Sequence, residues 1–71
     1  NIGRIDAVVK TKTDIFVFEF KLAGTAQQAM RQIREKRYFE PYLTDGRRIT
    51  LVGVAFSKKT RNLGRCLIET P

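Results

Sequence analysis

Seventy-one residues make one small domain, long enough to bury only about 60% of the surface its unfolded chain would expose. Fourteen Lys and Arg against seven Asp and Glu leave a net charge of +7, which favours polyanionic partners and makes any such attraction salt-dependent. The absence of His excludes His-based zinc sites and nucleophile–His pairs. The single Cys66 can form no internal disulfide, which fits a reducing, cytoplasmic setting, and no apolar run approaches the roughly 18 residues of a membrane span.

From the N-terminus, R-I-D-A-V-V-K (residues 4–10) and D-I-F-V-F-E-F-K-L (residues 14–22) are β-branched and aromatic runs separated by Thr11-Lys12-Thr13, the pattern of a β-hairpin. A turn centred between Lys12 and Thr13 predicts Asp6 across from Glu19, Arg4 across from Lys21 and Val8 across from Val17. Directly opposed residues share a face. Strand alternation therefore sorts Arg4, Asp6, Glu19 and Lys21 onto one face and Ile5, Ala7, Val9, Phe16, Phe18 and Phe20 onto the other.

Ala23-Gly24 ends the second strand, and Thr25 opens a helix whose Thr25-Ala26-Gln27-Gln28 start fits a capping box. Ala26, Ala29, Met30 and Ile33 recur at i, i+3, i+4 and i+7 and should pack on the sheet. Arg31, Arg34 and Arg37 recur every three residues along a more exposed flank, a candidate phosphate-contacting edge set against the default of a solvated helix face. Residues 38–46 read as a loop through Pro41 and Asp45-Gly46, with Tyr38, Phe39 and Tyr42 expected to complete the core rather than stack on bases. Residues 49–56, I-T-L-V-G-V-A-F, form a near-continuous apolar run expected as a strand covered on both faces and parallel to the Glu19 strand. Ser57-Lys58-Lys59-Thr60-Arg61 is a basic turn, with Lys58 and Lys59 as further nucleic-acid contacts. Residues 63–69 return as an antiparallel strand in which Cys66 serves packing.

Asp6, Glu19 and Lys21 are ionisable groups set among residues that want burial, and removing such charges from water is costly unless they are paired or bind an ion. Two carboxylates directly opposite on a sheet repel, and a proton, Arg4, Lys21 or a divalent cation must compensate. An oxygen-only pair with open positions suits magnesium or manganese, and Lys21 reaches the same point in space.

Asp6 after Gly3-Arg4-Ile5, a spacer of 12 residues, then Glu19-x-Lys21 closing an apolar strand, resembles the PD-(D/E)XK nuclease superfamily. The blocks G-R-I-D-A-V-V, F-V-F-E-F-K-L, A-x-x-Q-I-R-E-K-R-Y, E-P-Y and L-V-G-V-A-F-S resemble, more narrowly, its uncharacterised bacterial members often found C-terminal to an ATPase-like domain. The resemblance spans residues 3–69. It implies a truncated restriction-endonuclease-like α/β core, a ββαββ mixed sheet with one helix crossover, lacking a leading helix that a longer protein would supply. It also implies hydrolysis of phosphodiester bonds in DNA, with RNA left open: Asp6 and Glu19 hold Mg2+ or Mn2+, the Phe20 carbonyl is a further ligand, Lys21 positions the water and Gln32 assists. The competing expectation is a catalytically inactive nucleic-acid-binding or oligomerisation module of the same fold, with a second copy covering its apolar face.

Overall fold

The computed structural model describes residues 4–57 and 62–71, with side chains over 7–57 and 64–71. The elements run β1 (Arg4–Lys10), β2 (Asp14–Leu22), α1 (Ala26–Lys36), a 3-10 turn (Glu40–Tyr42), β3 (Arg48–Ser57) and β4 (Asn62–Glu69). The four strands form one sheet in the order β1-β2-β3-β4. β1 and β4 are antiparallel to their neighbours and β2 is parallel to β3, the mixed ββαββ arrangement expected of the sequence.

The hairpin register is the predicted one: Arg4 pairs with Lys21, Asp6 with Glu19 and Val8 with Val17. Its turn is closed locally. The Thr11 amide donates to the Asp14 carbonyl at 2.8 Å, while the Thr11 hydroxyl accepts from the Asp14 amide at 2.9 Å. Such side-chain bonds offer the backbone an alternative to continuing the ladder.

At the other end of β2, Ala23 adopts φ 58°, a left-handed conformation that breaks the strand. Thr25 then caps α1 from both directions: its hydroxyl accepts from the Gln28 amide at 3.0 Å and the Gln28 side chain accepts from the Thr25 amide at 2.9 Å. Ala26, Ala29, Met30 and Ile33 are all buried, as their spacing predicts. They rest on the sheet face carrying Ile15, Val17, Ile49 and Leu51, where Phe39 closes the core and Tyr38 and Tyr42 pack against it. The loop reading of residues 38–46 thus holds for its aromatics, although Pro41 sits within a single 3-10 turn that the sequence reading did not include.

Gly53 sets how closely α1 lies on the sheet. A Cβ there would stand 2.9 Å from both the Ala26 carbonyl oxygen and the Met30 amide nitrogen, so only glycine admits the helix backbone at this depth.

No helix among the described residues lies over the opposite sheet face. Val52 and Val54 are nonetheless buried, because the taller rings beside them, Phe18, Phe20 and Phe56, stack at centroid distances of 5.8 Å. Cys66, expected to serve packing, is instead exposed. It pairs with Val54 on the edge strand β4, beyond the shelter of those rings. The basic turn with Lys58 and Lys59 lies outside the described residues.

Candidate functional site

β2 is the central element of the site. Its alternation sends Ile15, Val17 and Glu19 to the face beneath α1, so that a glutamate occupies the third position of an otherwise apolar row. Glu19 is 0% exposed, the one charged side chain in the buried set of the described residues. A carboxylate removed from water in this way is held by the charges and donors around it. The register places Asp6 on the one side of Glu19, in β1, and Gly53 on the other, in β3. The helix backbone therefore passes over Gly53 directly beside Glu19.

Phe20 pairs with Ile5 and Val54, and its ring stacks with Phe18 and Phe56 on the uncovered face, so only its backbone is available to the Glu19 side. Lys21, two residues beyond Glu19, is half-buried and lines a cavity of about 190 Å³ together with Gln28, Arg31, Gln32 and Glu35. The structure thus brings Lys21 and Gln32 together. Glu19 is not part of that cavity's lining; it lies deeper, beneath the helix.

Gln28, Arg31, Gln32 and Glu35 follow the same i, i+3, i+4, i+7 spacing as the buried stripe, on the far side of α1. This polar stripe is the signal that sequence reasoning passed over in favour of the arginine row at steps of three. Gln28 and Glu35 were missed for that reason.

The arginine row divides. Arg31 lines the Lys21 cavity. Arg34 donates through Nε to Glu69 at 3.0 Å and through Nη2 to the Thr70 carbonyl at 2.9 Å, and Arg37 pairs with Glu40 at 2.8 Å and lies over the Phe39 ring. At the opposite end of the sheet, Arg47 pairs with Asp45 at 2.6 Å and Arg48 with Asp14 at 2.8 Å. The Thr13 hydroxyl and then Arg48 hold the Asp14 carboxyl below its usual range, and Arg47 does the same for Asp45. Among the described residues, Arg31 and Arg65 are the arginines that enter no ion pair, and Lys10, Lys12, Lys21 and Lys36 enter none either.

The donor chemistry at Asp6 and Glu19 fits a hard divalent cation, since the two carboxylate residues are register-paired and no sulfur or imidazole accompanies them. No cluster of three or more His, Cys, Asp or Glu occurs among the described residues, which leaves the other positions on such an ion to water, phosphate or a carbonyl.

A mixed α/β sheet that seats an acid under its crossover helix, opposite a second acid and two residues before a lysine, has the core of a nuclease-type fold. The comparisons place it further: the chain belongs to the PD-(D/E)XK nuclease superfamily, whose sequence pattern matches residues 1–66. It is 36% identical over 70 residues to an uncharacterised protein in the vnfD 5′ region of Azotobacter chroococcum mcd 1. That match covers 96% of this chain and 14% of the relative, so the chain spans about one-seventh of the length of the protein it resembles. No solved structure matches the chain. No helix among the described residues is long and apolar enough to cross a membrane.

Proposed function

We propose that this chain is a divalent-cation-dependent nuclease unit that hydrolyses phosphodiester bonds in DNA. The observation that carries the reading is a fully buried glutamate in the middle of the sheet, register-paired with Asp6 and followed at two residues by a lysine. Superfamily membership supports it. Asp6 and Glu19 hold Mg2+ or Mn2+, with the Phe20 carbonyl as a third protein ligand. Bound there, such an ion would supply Lewis acidity toward phosphate and a lowered pKa for water. Lys21 orients the attacking water and offsets the negative charge that grows on the phosphate, and Gln32 shares its cavity as an auxiliary contact. The water oxygen forms a bond to phosphorus, the bond from phosphorus to the departing sugar oxygen breaks, and the proton lost by the water ends on that oxygen.

Arg31, Arg34, Arg37, Lys58 and Lys59 extend the nucleic-acid surface, supported by the net charge of +7. An adjoining ATPase-like domain is consistent with the small share of the relative that the chain covers. A second copy over the uncovered aromatic face and a cytoplasmic setting for the free Cys66 complete the proposal.

Two variants in the full-length protein separate the assigned roles. Glu19→Gln should abolish Mn2+ uptake and lower plasmid nicking by about 10²–10³-fold, the scale of losing one preorganised electrostatic group. Lys21→Met should keep Mn2+ uptake while nicking falls comparably. Nicking that survives Glu19→Gln overturns the proposal. Salt-dependent DNA retention without nicking in either metal would identify a non-catalytic binding module instead.

A further inference from the structure

Lys21 enters no ion pair among the described residues, so no carboxylate fixes its ammonium. Glu35 lines the same cavity without pairing with it, and Arg31 brings a like charge there. A lysine carries its charge on a flexible four-carbon stem, and a group that wanders from the reacting centre loses its effect. What sets the position of this amine must therefore act on the stem.

The break after β2 supplies that constraint. The left-handed turn at Ala23 is followed by half-buried Gly24, and the lysine stem lies against it. A Cβ on Gly24 would collide with Lys21 Cγ, and it would stand 3.4 Å from Lys21 Cε and 2.7 Å from Gln28 Oε1. Two points along the stem thus pass over the bare Cα. Among the described glycines, Gly46 is the one with positive φ, so the backbone at residue 24 does not itself ask for glycine. The room taken by Lys21 and Gln28 does. Gln28 is held in place by the helix cap: its Oε1 accepts from the Thr25 amide at 2.9 Å, and its own amide donates to the Thr25 hydroxyl at 3.0 Å. Anchored in this way, it forms a fixed wall of the Lys21 cavity.

The geometry points to Gly24 and Gln28 as positioning residues for Lys21: the missing side chain of one and the cap-anchored side chain of the other form a groove that holds the lysine stem and directs its ammonium into the cavity beside Gln32. The assignment rests on the nuclease reading above and adds two residues that act through the lysine. Cγ lies near the root of the side chain, so a methyl that displaces it shifts every atom beyond. A displacement of about 1 Å at a reacting group can cost about 10²-fold in rate.

The test compares Gly24→Ala, Gln28→Ala and Thr25→Ala in the full-length protein. Thr25→Ala removes the hydroxyl half of the cap and keeps the Gln28 side chain, which makes it the structural control. Three quantities are read: the rate at which acetic anhydride modifies Lys21 in metal-free protein, followed by peptide mass spectrometry; Mn2+ uptake; and kcat and KM for plasmid nicking. In Gly24→Ala, Lys21 should react severalfold faster than in the wild type, with Mn2+ uptake unchanged and kcat lowered by about 10²-fold at constant KM. Gln28→Ala should move Lys21 reactivity and kcat in the same directions by less. Thr25→Ala should melt lower and match the wild type in both. Unchanged Lys21 reactivity in folded Gly24→Ala overturns the assignment, as does a loss of kcat that Thr25→Ala shares. If Gly24→Ala does not fold, Gln28→Ala decides in its place, and unchanged Lys21 reactivity there overturns the assignment. A wild type that takes up Mn2+ but never nicks overturns the nuclease reading, while the acetylation rates still decide where the lysine stem is held.

Discussion

Beneath α1, Ile15, Val17 and Leu51 are at most 1% exposed and enclose a glutamate, whereas on the back of the same sheet Leu22 and Ile68 remain 53% and 68% exposed. Burial driven by apolar area alone would have put the helix over the phenylalanines and left Glu19 in water. The helix instead covers the row that carries the acid. The aromatic row shelters itself by stacking Phe18, Phe20 and Phe56 and stays open beyond them. The buried core and the proposed site thus fall on one face, and the other is left as surface.

Substitutions that trade on this contrast should differ widely in effect. Leu51→Ala removes a fully buried side chain under α1 and should lower unfolding free energy by about 2–5 kcal/mol, while Ile68→Ser on the back should stay within about 0.5 kcal/mol of wild type. Chemical denaturation of both variants checks this; equal losses would mean that the back face is covered in solution. Gly53→Ala should follow at about 1–3 kcal/mol, because the new methyl meets helix backbone rather than a movable side chain. Gly24→Ala should also destabilise, because its methyl would displace Lys21 Cγ and the Gln28 Oε1 that caps α1.

The smallest effect belongs to the charged rim at the other end of the sheet. Asp45 has a folded-state pKa below its unfolded value of 3.8, so its contribution is present above that value and is lost as pH falls through the lower, folded one. Asp45→Asn should therefore melt slightly below wild type at neutral pH, with the two curves converging as pH falls through the lowered, folded-state value. A difference that persists in acid would show that Asp45 acts through packing rather than charge.

Much of this arrangement is legible in the residues themselves. The hairpin register follows from a three-residue polar break between two alternating runs, which sets where the turn falls and hence which residues oppose one another. The capping box and the buried stripe of α1 are equally local and equally readable. Which sheet face the helix would choose was not. That choice depends on Gly53, whose missing side chain matters only once the crossover lays Ala26 and Met30 over it. Cys66 was misread for a related reason: a strand residue packs only if its face is covered, and β4 lies at the uncovered margin. The Lys21 cavity escaped notice because Gln28 already had a local task at the cap, which hid its place in a second helical stripe.

Arg34 ties these parts together in one further respect. Its guanidinium reaches the Glu69 carboxylate and the Thr70 carbonyl, fastening the last turn of α1 to the end of β4 and the residue after it. Half-exposed contacts of this sort contribute little energy singly. Here they act as a hasp: the peripheral ribbon of the sheet is pinned to the element that roofs the acid, so peeling at that margin loosens the roof as well.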